Sequence, residues 1–499
     1  MKSEKTASRR FLSLALILSA LVSVSATACG SETSSGTQDT GNAGTAPQES
    51  ETAEPDRFAD VDFGGETVGI LCRTDTMLEW ARELYVEEDD GDIVNSAVFA
   101  KNRNVEERLG VHLDYIRMDG EWNVMSAFLQ RIRDSVAADD HDFDLVAGYR
   151  HYMPQLAAEG YFLNLNDVPY IDFTKPWWKG NFTSELNVGG KLHFMAGDIG
   201  LSMLKCLMVF FYNKNLAAQY DLGDIYDVVK SGKWTIDYAA QLCETVSGDL
   251  NGDGKMSMKD DLYGYSTNHS QEYFDVLGSP FTTMDKDGYP TLSFNNAKSV
   301  AIVEKLYHLF YETAGGNPYN VGSGAAYSDS ENMFREDRLL MWSHCLCYAE
   351  ELRDMASDFA VIPYFKWDEE QKEYHTATQN MFSIFSIVSN CDHTDRVGAT
   401  AEVMAEESYK LVTPAYYELA LGVKYTRDEQ SKEMLSIIRD GVVFNFGTTY
   451  SIQLNNIYNT MPNILNKGTA DFASFYAANE ATWLANLETI IENYKGLDS

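Results

Sequence analysis

The stretch Gly190–Lys214, GKLHFMAGDIGLSMLKCLMVFFYNK, constrains this chain more than any other. Two mostly apolar runs, Leu192–Met195 and Leu204–Tyr212, flank Gly197-Asp198-Ile199-Gly200-Leu201-Ser202. The second run ends in Val209-Phe210-Phe211-Tyr212, β-branched then aromatic, and reads as a buried strand. The glycines and the aspartate between the runs mark a turn or crossing, with Gly197 and Gly200 as points of flexure. One alternating helix-and-strand unit precedes this stretch and another follows it.

Upstream, Thr67-Val68-Gly69-Ile70-Leu71-Cys72 reads as a buried first strand. Asp92 opens a helix whose Val94, Val98, Val105 and Leu109 share one face, and Gly110 stops it. Val111, Leu113 and Tyr115 alternate as a second strand. Met125, Phe128, Leu129, Ile132 and Val136 stripe a second helix, and Phe143-Asp144-Leu145-Val146-Ala147 gives a third strand. This alternation predicts an α/β fold, with parallel strands in the sheet and helices on both faces. In such sheets ligands bind beyond the carboxyl ends of the strands. That rule singles out Arg73, Thr74 and Asp75 after the first strand. After the third it selects Gly148, Tyr149, Arg150, His151 and Tyr152. Trp177 and Trp178 are further candidates: adjacent in an extended segment they cannot face the same way, and an indole offers both a flat apolar face and an N–H donor.

A Gly190-Lys191-Leu192 strand, a crossing, and an apolar strand ending in Tyr212-Asn213-Lys214 together resemble the extracellular solute-binding proteins that feed bacterial ABC importers. The sugar-binding, maltose-binding-protein-like branch is the nearest. Asp144–Leu165, with DLV and LAAEGYFLNL, and the Gly232-Lys233-Trp234-Thr235 turn resemble the same family. The resemblance covers nearly all of residues 60–499, through diffuse motifs. It implies a two-lobed, type II periplasmic-binding-protein-like fold with discontinuous lobes joined by a hinge. Residues 58–198 with a return segment at about 376–445 would form the N-terminal lobe; 199–365 with C-terminal helices at about 450–499 would form the other. It also implies that Trp342 and His344, in the Arg338–His344 strand and turn, reach the cleft, and that the Asn445–Asn456 break brings Tyr450 near it. The implied function is capture of a small solute, an oligosaccharide, by hinge closure in a monomer that docks on ABC permease subunits. A non-sugar solute or peptide, a sensor role, and a secreted glycan-active enzyme stay open as alternatives.

Asp249–Asp260, DLNGDGKMSMKD, fits the twelve-residue calcium loop. Asp249, Asn251, Asp253 and Ser257 place oxygens at positions 1, 3, 5 and 9. Lys255 offers its carbonyl at 7, Asp260 a carboxylate at 12, and Gly254 the sharp turn at 6. A structural Ca²⁺ is expected here, the alternative being an Asn-Gly-rich turn without metal; no organic cofactor is expected.

At the N-terminus, Lys2, Lys5, Arg9 and Arg10 precede the apolar run Phe11–Val22 and a set of small residues, the pattern of a secretory signal peptide. Ala26-Thr27-Ala28-Cys29 resembles the lipobox of bacterial lipoproteins. That resemblance makes residues 1–28 the signal and Cys29 the lipidated membrane anchor, on the extracellular face of the cell membrane. Plain secretion with an incidental cysteine is the alternative. Residues 29–57 lack aromatic and large aliphatic side chains and read as a disordered tether. Lys plus Arg number 39 against 75 Asp plus Glu, a net charge of −36 that repels nucleic acid. The six cysteines after Cys29 form no CxxC pair and read as unpaired and mostly buried. No HExxH, GxSxG, GxGxxG or P-loop pattern occurs, and no enzyme is expected. A glycosidase needs only two carboxylates, however, which sequence cannot pick out among 75 acids.

Overall fold

The computed structural model describes residues 56–74, 80–318, 327–417 and 429–497. Cys29, residues 1–28, the tether up to Pro55, and Asp75 lie outside them. Asp56–Ser499 forms one compact unit. The last two residues assigned to the tether belong to this unit. Asp56 pairs with Arg108 at 2.6 Å, Arg57 reaches Asp172 and Glu402 at 3.5 Å each, and Phe58 is buried.

From the N-terminal side, β1 (Glu66–Thr74), α1 (Ile93–Leu109), β2 (Val111–Asp119), α2 (Met125–Ala138) and β3 (Leu145–Tyr149) alternate. The chain then passes through a short helix, α3 (Leu201–Lys205), into β4 (Met208–Asn213). After it come β5 (Tyr263–Thr267), β6 (Leu339–Cys345), β7 (Phe359–Ile362), β8 (Ser383–Ile387), α4 (Thr394–Glu407), α5 (Glu429–Asp440) and the closing helix α6 (Phe472–Gly496). Local chemistry sets these bounds. The Asp92 carboxylate accepts the backbone N–H groups of Val94 and Asn95 at 3.0 Å and so starts α1. Gly110, at φ 61°, ends it in the left-handed conformation.

Strands β1–β8 form two four-stranded sheets, and Thr282–Met284 pairs with Pro290–Leu292 in a separate two-stranded one. In the first, ordered β8-β3-β1-β2, β1 runs parallel to both neighbours and β8 is antiparallel to β3, with Ser383 opposite Tyr149. The second, ordered β5-β6-β4-β7, pairs β5 and β6 in parallel and is otherwise antiparallel. Each sheet centres one lobe. Phe210 of β4 anchors the second core, with its ring 4.9–5.5 Å from those of Tyr364, Tyr265, Phe365 and Trp234.

The central stretch departs from its sequence reading in two ways. Leu192–Met195 is not a strand: Met195 exchanges one pair of hydrogen bonds with Phe385 and makes only an isolated bridge onto β8. Leu201–Lys205 is helical, so β4 starts at Met208. Gly197 and Gly200 owe their identity to close approach. A Cβ on Gly197 would lie 2.1 Å from the Trp177 carbonyl oxygen, and one on Gly200 would lie 2.8 Å from the Phe385 ring.

The connections between lobes lie side by side. Met208 N–H donates to Ala377 O and Gln379 N–H to Cys206 O, both at 2.9 Å; Thr376 N–H donates to Gly441 O at 2.8 Å and Val443 N–H to Thr376 O at 2.9 Å. Three chain segments, 206–208, 376–379 and 441–443, thus make one hydrogen-bonded ribbon. Helix α5, inside the segment expected to return to the first lobe, packs instead on the second, where Ser431 Oγ meets Tyr226 OH at 3.1 Å. Helical structure runs through Pro414 to Tyr417. A π-turn at Ser408–Val412 absorbs the missing N–H, and Thr413 N–H bonds back to Ser408 O. Gly197→Ala is expected to destabilise the fold by about 1–3 kcal/mol, as overpacking does, read from urea unfolding. An unchanged midpoint would show that the site is a flexure point and not a close contact.

Candidate functional site

Strand ends from both lobes converge on the ribbon, and the first lobe contributes the ends of β1 and β3. Arg73 is buried; its Nε donates to Ser383 Oγ at 2.9 Å and its guanidinium lies 4.8 Å above the Tyr149 ring. Ser383 Oγ in turn donates to Glu83, whose other oxygen accepts Ser202 N–H at 3.0 Å. Arg73 therefore braces the junction between lobes. Thr74, at the end of β1, is half-buried. Tyr149 reaches Asn380 at 3.4 Å, and His151 packs 4.9 Å from Trp122, a half-exposed indole. Burial and the neighbouring Arg150 charge press the His151 pKa down to about 4, so the ring is neutral.

The second lobe contributes the ends of β5 and β6. Trp342 is fully buried and donates its Nε1–H to Asn268 at 3.3 Å. His344 Nδ1 accepts Cys345 N–H at 2.8 Å, which leaves the proton of the neutral ring on Nε2. Burial holds its pKa well below that of a free histidine. The His344 ring lies 3.7 Å from Tyr348, 4.8 Å from His269 and 5.0 Å from Trp342, a continuous aromatic wall. His269, Asn268, Ser270, Tyr348 and Trp122 were not singled out by the sequence. The strand-end rule applied to Tyr263–Thr267 would have pointed to the segment Asn268–Gln271.

Between the walls, Arg150 donates to Thr378 and Thr449 at 3.2 Å each and faces the rings of Phe382 and Phe444. Its charge is felt by Glu272 and Asp275 of the second lobe. Burial lifts the Glu272 pKa to about 7 and that of Asp275 to about 6, although Tyr458 donates to the first at 2.5 Å and Thr448 to the second at 2.7 Å. Five buried polar atoms here, His151 Nδ1, Asn268 Nδ2, Ser270 Oγ, Glu272 Oε2 and Asp275 Oδ1, have no hydrogen-bond partner among the described residues. Leaving such a group unsatisfied costs about 1–3 kcal/mol.

Three expected ligand residues stand apart. Trp178 is buried in the first lobe, its indole N–H spent on Glu402 at 2.8 Å. Trp177 is half-buried and packs 6.3 Å from Tyr409. Tyr450 is fully buried, stacked 4.2 Å from Phe446 with its hydroxyl against that of Tyr494. Trp178 and Tyr450 are thereby core residues, held by partners their neighbouring sequence did not reveal.

The calcium-like loop closes on its own backbone. Asp249 accepts the N–H groups of Gly252 and Gly254 at 2.7 Å, Asn251 accepts Asp253 N–H at 2.9 Å, and Asp253 accepts Lys255 N–H at 2.8 Å. Ser257 and Asp260 approach at 3.5 Å. Asp261, one residue beyond the expected last ligand, pins Leu250 N–H and Ser257 N–H. Among the described residues no group of three or more His, Cys, Asp or Glu gathers to hold a metal. A groove of about 890 Å³ flanks this loop, lined by Met256, Met258, Asp329 and Arg338, away from the strand ends.

Superposition on solved structures decides the fold. The cyclic alpha-maltosyl-1,6-maltose binding protein from Arthrobacter globiformis matches with a TM-score of 0.56 at 16% identity, over 85% of this chain and 100% of that one. The chain has the two-lobed fold of ABC sugar-binding proteins. The galacto-N-biose-/lacto-N-biose I-binding protein of a Bifidobacterium longum ABC transporter shares this sugar-binding-protein fold, with a TM-score of 0.54 at 12% identity, over 86% and 98% of the two chains. So does the maltose/maltodextrin-binding domain MalE from Bdellovibrio bacteriovorus, with a TM-score of 0.50 at 14% identity, over 85% and 100%. No protein-family model matches the sequence, and no curated protein matches it. Among the described residues, no helix is long and apolar enough to cross a membrane.

The buried carboxyls give a signed pH dependence. Glu272 binds its proton more tightly in the folded chain than in the unfolded one, so the folded state holds more protons between pH 4.5 and about 7. Raising the pH through that window therefore removes stability. The depressed histidines act in the opposite sense, so the contribution is isolated by difference. The melting temperature of Glu272→Gln minus that of the parent is expected to rise from pH 4.5 to pH 7, and a flat difference would show that Glu272 titrates normally.

Proposed function

We propose that this chain captures a neutral carbohydrate, an oligosaccharide, between its lobes and presents it to the permease subunits of an ABC importer. The observation that carries the proposal is the pairing of aromatic faces with unsatisfied buried polar atoms at the strand ends. Trp122 and Tyr149 stand with His151 on one lobe; His344, Tyr348 and His269 stand with Asn268 and Ser270 on the other. Flat rings stack on the apolar faces of sugar rings, and hydroxyls both donate to and accept from neutral imidazole, amide and hydroxyl groups. The solved proteins of this fold named above are described as binding maltosyl, lacto-N-biose or maltotriose ligands, which supports the same class here. Thr74 and Tyr149 are assigned to the first wall, while Arg73 and Arg150 position it. Closure follows by bending the three-segment ribbon. The protein acts as a binder, with no reaction assigned, and Cys29 carries the lipid that holds it at the outer face of the membrane.

Calorimetric titration with neutral oligosaccharides such as maltotriose and lacto-N-biose is expected to give a dissociation constant in the micromolar range, about −8 kcal/mol. His344→Ala is expected to weaken binding about tenfold or more and Ser270→Ala about three- to tenfold, with Trp178→Phe unchanged. A melting-temperature screen that responds to peptides or amino acids and to no saccharide would replace the carbohydrate reading with a peptide or amino-acid one.

We also propose a structural Ca²⁺ at Asp249–Asp260, supported by the oxygen spacing and by the turns at Gly252 (φ 73°) and Gly254 (φ 79°) that wrap the loop. Calcium added to chelated protein is expected to release heat and raise the melting temperature, and Asp249→Ala to abolish both. Silence in both measurements would leave a metal-free turn.

A further inference from the structure

The indole of Trp342 decides which way the Asn268 side chain faces. Trp342 is wholly buried in the second lobe, with its ring 5.6 Å from that of Phe211 and 6.1 Å from that of Phe334. Its Nε1–H donates to Asn268 Oδ1 at 3.3 Å. An indole nitrogen can only donate, so the atom opposite it must be the amide oxygen. The Nδ2 end of the same planar amide is thereby turned away from Trp342. That end is buried, with Asn268 only 2% exposed, and it meets no hydrogen-bond partner among the described residues. Flipping the amide would set one N–H against another. Asn268 therefore presents a donor here and not an acceptor.

Two residues on, Ser270 is fully buried and its Oγ also lacks a hydrogen-bond partner among the described residues. Its hydroxyl can donate or accept. The backbone between the two is held by Thr267, whose Oγ1 accepts His269 N–H at 3.0 Å and donates to His269 O at 2.7 Å. The rings of His344 and Tyr348, 5.0 Å and 5.4 Å from that of Trp342, add flat faces. The ends of β5 and β6 thus gather an obligate donor, a hydroxyl able to accept, and an aromatic surface.

On the basis of the carbohydrate site above, we propose that this part of it receives the acetamido group of an N-acetylated hexosamine. Asn268 is the specificity-determining residue and Trp342 the residue that positions it. The acetamido carbonyl, which can only accept, takes the hydrogen bond from Asn268 Nδ2. Its N–H donates to Ser270 Oγ, and its methyl packs on the rings. A sugar hydroxyl in the same place offers a single oxygen to both partners and no methyl. A uronate carboxylate accepts from Asn268 but brings neither an N–H for Ser270 nor a methyl.

The test is calorimetric titration of the full chain with two disaccharides of one linkage, N,N′-diacetylchitobiose and cellobiose, which differ in carrying acetamido or hydroxyl groups. The parent is expected to bind diacetylchitobiose about tenfold or more tighter. Asn268→Asp keeps an acceptor for Trp342 but sets an oxygen where Nδ2 stood. It should erase the preference, weakening diacetylchitobiose about tenfold and cellobiose less than about threefold. Trp342→Phe removes the N–H and lets the amide turn, so it should reduce the preference in the parent and leave it unchanged in Asn268→Ala; a general loosening of the lobe would act alike in both. Equal or tighter binding of cellobiose by the parent, or a preference that survives Asn268→Asp, would overturn the assignment. Binding of maltotriose without diacetylchitobiose would overturn it alone and leave the carbohydrate site standing. Failure to bind any saccharide would remove both.

Discussion

A guanidinium taken out of water is costly to fold around, and the organisation of this molecule depends on how Arg150 is accommodated. It leaves the end of β3 in the first lobe and reaches Thr378 in one connecting segment and Thr449 beyond another. Glu272 and Asp275 of the second lobe feel its charge. Two aromatic faces, Phe382 and Phe444, cover it. One positive charge thus fixes the end of one sheet against the segments that lead to the other. Burial raises the Glu272 and Asp275 carboxyl pKa values, and the Arg150 charge offsets that rise only in part.

The binding walls follow from sheet geometry. Parallel strands end on one side, and their last residues project into whatever lies beyond. In the first lobe the outward group is Tyr149 and His151; in the second it is Asn268–Gln271 and His344. Burial keeps the three histidines neutral, which makes them hydrogen-bonding groups and not charges.

Much of the first lobe was legible because its signals are local. Asp92 and Gly110 bound a helix through capping, and Val94, Val98, Val105 and Leu109 mark its buried face. The errors arise where distant partners decide. Leu192–Met195 has strand composition, yet within it only Met195 forms a β-bridge, to Phe385, nearly two hundred positions away. Trp178 and Tyr450 read as ligand-facing aromatics, but Glu402 and Tyr494 claim their polar atoms inside the core. Gly197 and Gly200 look like flexible positions in sequence; only the fold shows a carbonyl and a ring pressed against them. The second wall was half seen: Trp342 and His344 were selected by family resemblance, whereas His269 and Ser270 required the end of β5 to be located first.

The antiparallel strand β8 has a consequence for how the chain is made. Its partner β3 is synthesised far earlier, and until Ser383–Ile387 arrives β3 presents a bare edge, a surface prone to pairing with other chains. The first lobe therefore cannot complete its sheet as it emerges, even though its other three strands are contiguous. Maturation must wait for most of the polypeptide, so a chain interrupted anywhere in the second lobe leaves the first one unfinished as well.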